Sequence, residues 1–547
     1  MVKNGTYQAA AQGHNDEITV AVTVDDNKIA KVEVTKHAET PLISAKALAE
    51  IPAKIVADQS TAVDAISGAT FTSNGILHAA RKALTKAGAG TDEFNEKEKI
   101  TKHQHQVKTD VVVFGTGLAG LDAAITAKEN GADVVLLEKA GRFGGNSVVS
   151  GGFMYATGSE FNKDKDNDPA DLTKFYENFA KSEGGSVDHE LVKTIAENSA
   201  SAVNYYADKY GVKFTAMPLG LSPHPRTHID FQKGPVAILE PVFNRVKELK
   251  IPIFYNQTHE EIKTENGNIV GVTTKGKYDD YEISCKAIVL AVGGFDGSAK
   301  TRDKYAPSAK GARSMSSPYN NGDYVDLTKK FNAGLEFKDG VMGIMTANYL
   351  DVTVGANTLI LLNTPIAVNN LGKRFTKEGQ HYSIMYNDAK NSGGARFFWI
   401  FDKNQPQYKT ASHTDGSIKC DSLSDVAKLI GADEQTLLAT IERYNSFAGK
   451  KDPDFGRDDI IAVSPEGPYY VIEGYPTTVA GFGGLTINPE AQVLNTDGQP
   501  IAGLYAAGED ATGQIFVHTY PSTGTMLTTC TVFGRIAGKN AAEFSKK

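Results

Sequence analysis

The sequence predicts an α/β protein: a Rossmann-like dinucleotide-binding domain with an inserted α+β capping domain, preceded by a small α+β module. Three observations carry this reading. From Asp110, VVVFGTGLAGLDAAITAKENG followed by ADVVLLEK reads as buried strand, glycine turn, helix and second buried strand, a βαβ unit. Far downstream, Lys286 to Gly294 and Gly503 to Glu509 repeat the strand-then-glycine pattern, so distant parts of the chain complete one sheet. At the start, Ile18, Val20, Val22 and Val24 alternate, Asp25-Asp26-Asn27 turns, and Ile29, Val32 and Val34 return as a hairpin.

In order along the chain, residues 1–92 form the first module, with helices expected around Ala45–Ala57 and Gly75–Ala87. Residues 93–107 are polar and without periodicity and read as a linker, with His103 and His105 as solvated side chains rather than metal ligands. The dinucleotide domain takes 108–334 and resumes at 479–547. Between them, 335–478 holds an expected helix from Asp433 to Phe447 and the loop Lys451 to Arg457, and reads as a lid.

Composition sets limits. The 547 residues carry 57 Lys+Arg against 65 Asp+Glu, a net charge of −8 that argues against nucleic acid. With 41% hydrophobic and 22% charged residues the chain is globular, and no apolar run reaches membrane-spanning length. The N-terminus lacks an apolar signal-like region, so a cytoplasmic location is expected. Three scattered cysteines give neither a zinc nor a c-type haem motif, and no metal is expected. The 53 glycines cluster, and the clusters carry the chemistry.

Gly115, Gly117 and Gly120 have dinucleotide-fingerprint spacing, and Glu138 and Lys139 follow the second strand, where a carboxylate accepts ribose hydrogen bonds. Gly144, Gly145, Asn146 and Ser147, then Gly151 and Gly152, allow close backbone approach to a second flat group. Gly294 and Glu509 lie on the remaining glycine turns, the latter within reach of a ribityl chain; this set favours FAD over NAD. The run Asp64, Ser67, Gly68, Ala69, Thr70 offers amides and hydroxyls to a phosphate, or is simply a helix start capped by Ser73 or Asn74.

The Asp-x-x-Ser-Gly-Ala-Thr run resembles FMN-binding domains in which a flavin transferase esterifies the flavin phosphate to the final threonine, here Thr70. Asp110 to Lys547 resembles the flavoprotein of soluble fumarate reductases and their urocanate, hydroxycinnamate and vinylphenol reductase relatives, and more distantly 3-ketosteroid dehydrogenases. The markers are Gly115–Gly120, Gly144–Ser147, Gly372-Lys373-Arg374-Phe375, Asp452–Arg457 and Gly503–Glu509. The resemblance implies FMN relaying electrons to FAD, hydride passing from flavin N5 to an alkene carbon, and a proton arriving through Arg374. Arginine is a poor acid, so positioning and the basicity of the carbanion must help it; a lid salt bridge is the alternative role.

The sequence departs from the fumarate pattern twice. Val479-Ala480-Gly481-Phe482-Gly483-Gly484 stands where a histidine is expected, and His518 to Thr525 where a carboxylate-binding arginine is expected. Without that arginine a buried carboxylate keeps its desolvation cost and loses its charge-assisted bonds. Tyr520 to Gly524 resembles the turn by which ketosteroid dehydrogenases hold a ketone, although Tyr520 equally suits a packing role. Tyr349, His518, His224 and His228 are further candidate wall residues. The expected substrate is therefore a conjugated alkene such as 4-vinylphenol. Fumarate, acrylate or hydroxycinnamate reduction, ketosteroid-type dehydrogenation and an electron-transfer subunit are the alternatives. No second complete fingerprint marks a nicotinamide site, so a separate NAD(P)H:flavin oxidoreductase is the expected donor.

Overall fold

The computed structural model describes residues 2–41, 43–90, 92–96, 101–162, 168–219, 224–347, 361 and 365–547. The N-terminal module is an antiparallel three-stranded sheet, Gly5–Gln12, Glu17–Asp25 and Lys28–Lys36, in chain order. Asp26 and Asn27 both take positive φ, 46° and 60°, which matches the right-handed twist of the strands they join. Two helices, Ala45–Asp58 and Thr70–Lys86, cover one face and close a separate apolar core around Ile18, Val20, Ile51, Ile55, Ile76 and Leu84. The second helix starts five residues before the expected Gly75. Ser73 is no N-cap: its hydroxyl donates to the Ala69 carbonyl and accepts from the Ile66 amide, which carries the small-residue run into the first turn. The cap position is Ala69, without a side-chain bond.

The segment read as linker, 93–107, is structured in its C-terminal part. His103–Lys108 is a strand pairing in parallel with Asp279–Ser284 in a four-stranded sheet with Asn268–Lys275 and Thr258–Glu265. Its polar residues serve an edge: Lys102 pairs with Asp280, Gln106 bonds Glu282, and His105 lies 2.7 Å from Asp279 and stacks on Tyr281.

The central sheet has the order Ile253–Phe254, Val134–Leu137, Val111–Phe114, Ala287–Leu290, Pro500–Ala506, Gln492–Leu494. All pairs are parallel except the last. Its four central strands, VVLL, VVVF, AIVL and PIAGLYA, are largely apolar because they are covered by the helices Leu118–Glu129 and Thr525–Ser545, which pack side by side, and by the four-stranded sheet. An antiparallel ribbon, Leu335–Thr346 with Tyr469–Leu485, leads out of this domain. Its far end pairs with Phe397–Phe401 and supports a second layer of the helices Leu423–Ile430 and Glu434–Asn445 over Ile366, Val368, Ile400 and Val471. Asp433 caps the latter helix, its carboxylate accepting from the Thr436 amide at 2.8 Å. Among the described residues no helix is long and apolar enough to cross a membrane.

Because the N-terminal core is separate, Ile51→Ala, at a fully buried site, is expected to lower the stability of that module by about 2–5 kcal/mol. Scanning calorimetry should show a module transition moving down while the main transition stays; equal movement of both would contradict two cores.

Candidate active site

The first cleft, about 670 Å³, lies at the carboxyl end of the central strands. Gly115 makes the turn possible: its φ is +94°, and a Cβ there would sit 2.1 Å from the Ala291 carbonyl oxygen. The helix that follows starts on Gly117 without a capping bond from that residue; Ser147 Oγ accepts from the Leu118 amide at 3.1 Å, and Gly117, Leu118 and Ala119 of the first turn line the cleft. That is the donor set a pyrophosphate needs. Glu138, nearly buried, accepts from the Thr116 amide at 3.0 Å and the Ala140 amide at 2.6 Å. Burial raises its pKa. Lys139 also lines the cleft and pairs with Asp323 at 2.7 Å. Gly145, Asn146, Ser147 and Glu509 complete the wall; Gly120 packs under Gly115, the Gly144 amide donates to the Thr116 carbonyl, and Gly294 leaves room for Glu509.

Glu509 is the floor that this cleft shares with a second one. Its oxygens accept from the Gly481 amide at 2.9 Å, Asn146 Nδ2 at 2.9 Å and Asn320 Nδ2 at 3.1 Å. Burial, together with the nearby charge of Asp296, raises its pKa.

The second cleft, about 800 Å³, shares Asn146, Ser147, Glu509 and Cys530 with the first and adds Gly151, Gly152, Phe153, Met315, Met342, Tyr382, Tyr520, Thr523 and Gly524. Gly524 turns at φ +99°, with a Cβ position only 2.6 Å from the Met154 backbone. Tyr520 is buried, and its hydroxyl oxygen accepts from the Met526 amide at 2.6 Å. Its O–H hydrogen has no acceptor among the described residues. Tyr382 likewise accepts from Thr523 Oγ1 at 3.3 Å. Burial raises the pKa of both phenols, so each stays a neutral donor. Among the described lining residues none is cationic.

Several expected residues lie elsewhere. Arg374 does not line this cleft: its guanidinium pairs with Glu378 at 2.7 Å and Asp452 at 2.9 Å, between the rings of Tyr444 and Phe455. Both carboxylates are fully buried, so this is an internal network of the outer layer, joined by Arg457. His518 is exposed and pairs with Glu183 at 3.3 Å. His228 is buried against Ser159 Oγ at 2.6 Å and the Arg226 carbonyl at 2.8 Å, and His224 lines neither cleft. Tyr349 lies outside the described residues. Asn320 and Tyr382 escaped the sequence reading; neither belongs to a glycine cluster, and only the turn-rich SSPYNNG run hinted at the former.

In the N-terminal module Thr70 is exposed and opens its helix with no side-chain cap, leaving a hydroxyl and first-turn amides together. Ala69 is buried beneath it. Asp64, Ser67 and Gly68 bond across to the larger domain, to Lys277, Tyr319 and Arg142.

A dinucleotide cleft opening into an apolar chamber, beside a module with an exposed threonine at a helix start, defines a two-flavin oxidoreductase. Residues 110–527 match the FAD binding domain family and residues 13–85 the FMN-binding domain family. The chain is 29% identical to urocanate reductase of Eggerthella lenta, over 98% of this chain and 92% of that protein. It is 31% identical to the cytochrome-type fumarate reductase of Shewanella frigidimarina, over 85% of this chain and 82% of that one. The open conformation of a flavocytochrome c3 fumarate reductase superposes with a TM-score of 0.68 at 27% identity, covering 81% of this chain and 79% of that chain. The chain belongs to the fumarate-reductase family of flavoproteins, with FAD- and FMN-binding domains, and is a flavin-dependent oxidoreductase acting on C=C bonds.

Two outcomes follow from this geometry. Arg374→Ala leaves two buried carboxylates short of their cation and is expected to cost about 3–5 kcal/mol of stability; an unchanged melting temperature with lost turnover would return Arg374 to the chemistry. Burial lowers the His228 pKa from 6.5 to about 4. The unfolded chain therefore binds this proton first as pH falls, so stability is lost from about pH 6.5 down towards 4. Between pH 7 and 5 the loss is on the order of 2 kcal/mol, and urea titrations of His228→Asn should lack that component.

Proposed function

We propose that the enzyme reduces a neutral conjugated alkene carrying a phenol or ketone oxygen, with 4-vinylphenol the preferred type, and that Tyr520 and Tyr382 do the work expected of cations in carboxylate reductases. The observation that carries this is the lining of the second cleft: one buried phenol and one half-buried one with spare O–H hydrogens, apolar walls, and no cation among the described lining residues. A substrate carboxylate there would be desolvated without a partner. A phenol or carbonyl oxygen needs only a hydrogen bond, which a neutral tyrosine supplies at no charge cost.

When bound, FAD supplies the hydride and FMN, joined to Thr70 by a flavin transferase, feeds it electrons from a separate NAD(P)H:flavin oxidoreductase. Tyr520 then holds the substrate oxygen. Its own oxygen is fixed by the Met526 amide, which leaves its O–H hydrogen to donate to the substrate oxygen. Gly524 lets the turn beside it pass close to the Met154 backbone. Tyr382 gives a proton to the substrate carbon that develops negative charge. A phenol with a raised pKa releases its proton only to such a strong base, which protects the site from idle proton loss. Phe153, Met315 and Met342 exclude water around the reacting carbons. The name of the urocanate reductase relative supports a second reading, a carboxylated alkene.

An anaerobic panel with dithionite-reduced methyl viologen, comparing fumarate, acrylate, p-coumarate, 4-vinylphenol and a simple enone, tests the proposal. 4-Vinylphenol or the enone should exceed fumarate by at least about tenfold in kcat/KM, the effect of one good polar contact. Tyr382→Phe should lower kcat by about 10²–10⁴-fold with FAD content unchanged. Fumarate as the best substrate would overturn it.

A further inference from the structure

The N-terminal module meets the FAD-binding domain through the loop that carries Thr70, and that loop lies on the rim of the dinucleotide cleft. Ser67 Oγ hydrogen-bonds the Tyr319 hydroxyl, and Tyr319 is itself a wall residue of the cleft. Arg142 Nε donates to the Gly68 carbonyl at 3.1 Å, four residues on from Glu138, which lines the same cleft. Asp64 pairs with Lys277, and Lys46 sits 3.9 Å above the Tyr255 ring, so the module is held at both flanks. Between these, Gly141 lets the loop backbone come close: a Cβ there would stand 3.0 Å from the Ser67 amide nitrogen.

We infer that the loop 64–70 is a lid on the FAD cleft and that Ser67 is its latch, positioning Tyr319 in the cleft wall. Ser67, Lys46, Lys277 and Gly141 do not line the cleft. Any effect they have on FAD therefore passes through docking of the loop. Tyr319 links the two: with its hydroxyl on Ser67 its ring loses freedom and closes one side of the dinucleotide site. In the undocked state the Tyr319 ring, on a turn held by Ser316, Ser317 and Asn320 but itself only half-buried, is released from Ser67 and the cleft mouth opens. The inference goes beyond the proposed substrate and stands whether or not the alkene assignment holds.

The test is FAD release, followed by fluorescence after dilution, together with hydrogen exchange of residues 64–70 in the same full-length holoprotein. Ser67→Ala removes one hydrogen bond and is expected to speed both FAD release and loop exchange by about fivefold, the effect of one ordinary hydrogen bond; Ser67→Thr restores a hydroxyl and should restore both. Gly141→Ala, which acts by pushing the Ser67 backbone away, should give the same pair of changes by a different route. Unchanged FAD release with either variant overturns the lid, as does faster release without faster loop exchange. Flavin load on Thr70 is read separately by intact mass. Failure of the two-flavin reading thus shows as a missing FMN mass, and failure of the lid as unaltered FAD release.

Discussion

The buried Glu509 carboxylate ties the molecule together. Its hydrogen-bond donors come from three distant segments: Asn146 after the first βαβ unit, Asn320 on the turn beyond the strand Ala287–Leu290, and the Gly481 amide in the ribbon that leads to the outer layer. A carboxylate taken out of water without such donors would cost several kcal/mol, so wherever it sits, these segments must converge. They converge at the boundary of the two clefts. The glycine at 294 is part of the same constraint, since a Cβ there would lie 2.3 Å from Glu509 Oε1. The ribbon thus carries both a wall of the chamber, Val479 and Ala480, and the link to the outer layer.

Charge is distributed accordingly. In the outer layer Arg374 and Arg457 are spent on internal carboxylates: both pair with Glu378, and Arg374 also pairs with Asp452. That network stiffens the outer layer while the chamber itself is left to phenols, thioethers and a phenyl ring.

Much of this was legible in the sequence. The glycine spacing from Gly115, the valine-rich strands and the returning strand–glycine runs at 286 and 503 are local signals of global pairing, and the sheet is assembled from those segments. Alternation gave the hairpin of the first module. The strand His103–Lys108 was hidden because an edge strand pairing with charged neighbours needs no apolar face. For Arg374 the sequence left a proton-delivering role and a lid salt bridge open; the structure shows the ion pairs, with Glu378 four residues on and Asp452 in a loop that itself looked functional. Tyr382 carries no motif at all; only three-dimensional packing brings it opposite Tyr520.

The most direct measurement is a binding one, free of turnover and of the electron donor. Oxidised holoprotein titrated with 4-ethylphenol and with succinate, the saturated products of the two substrate classes, reports on the chamber through the flavin absorbance. If neutral phenols and not a cation hold the substrate, 4-ethylphenol binds at least about tenfold more tightly, and Tyr520→Phe removes the difference. Tighter binding of succinate, unaffected by Tyr520→Phe, would contradict the central claim.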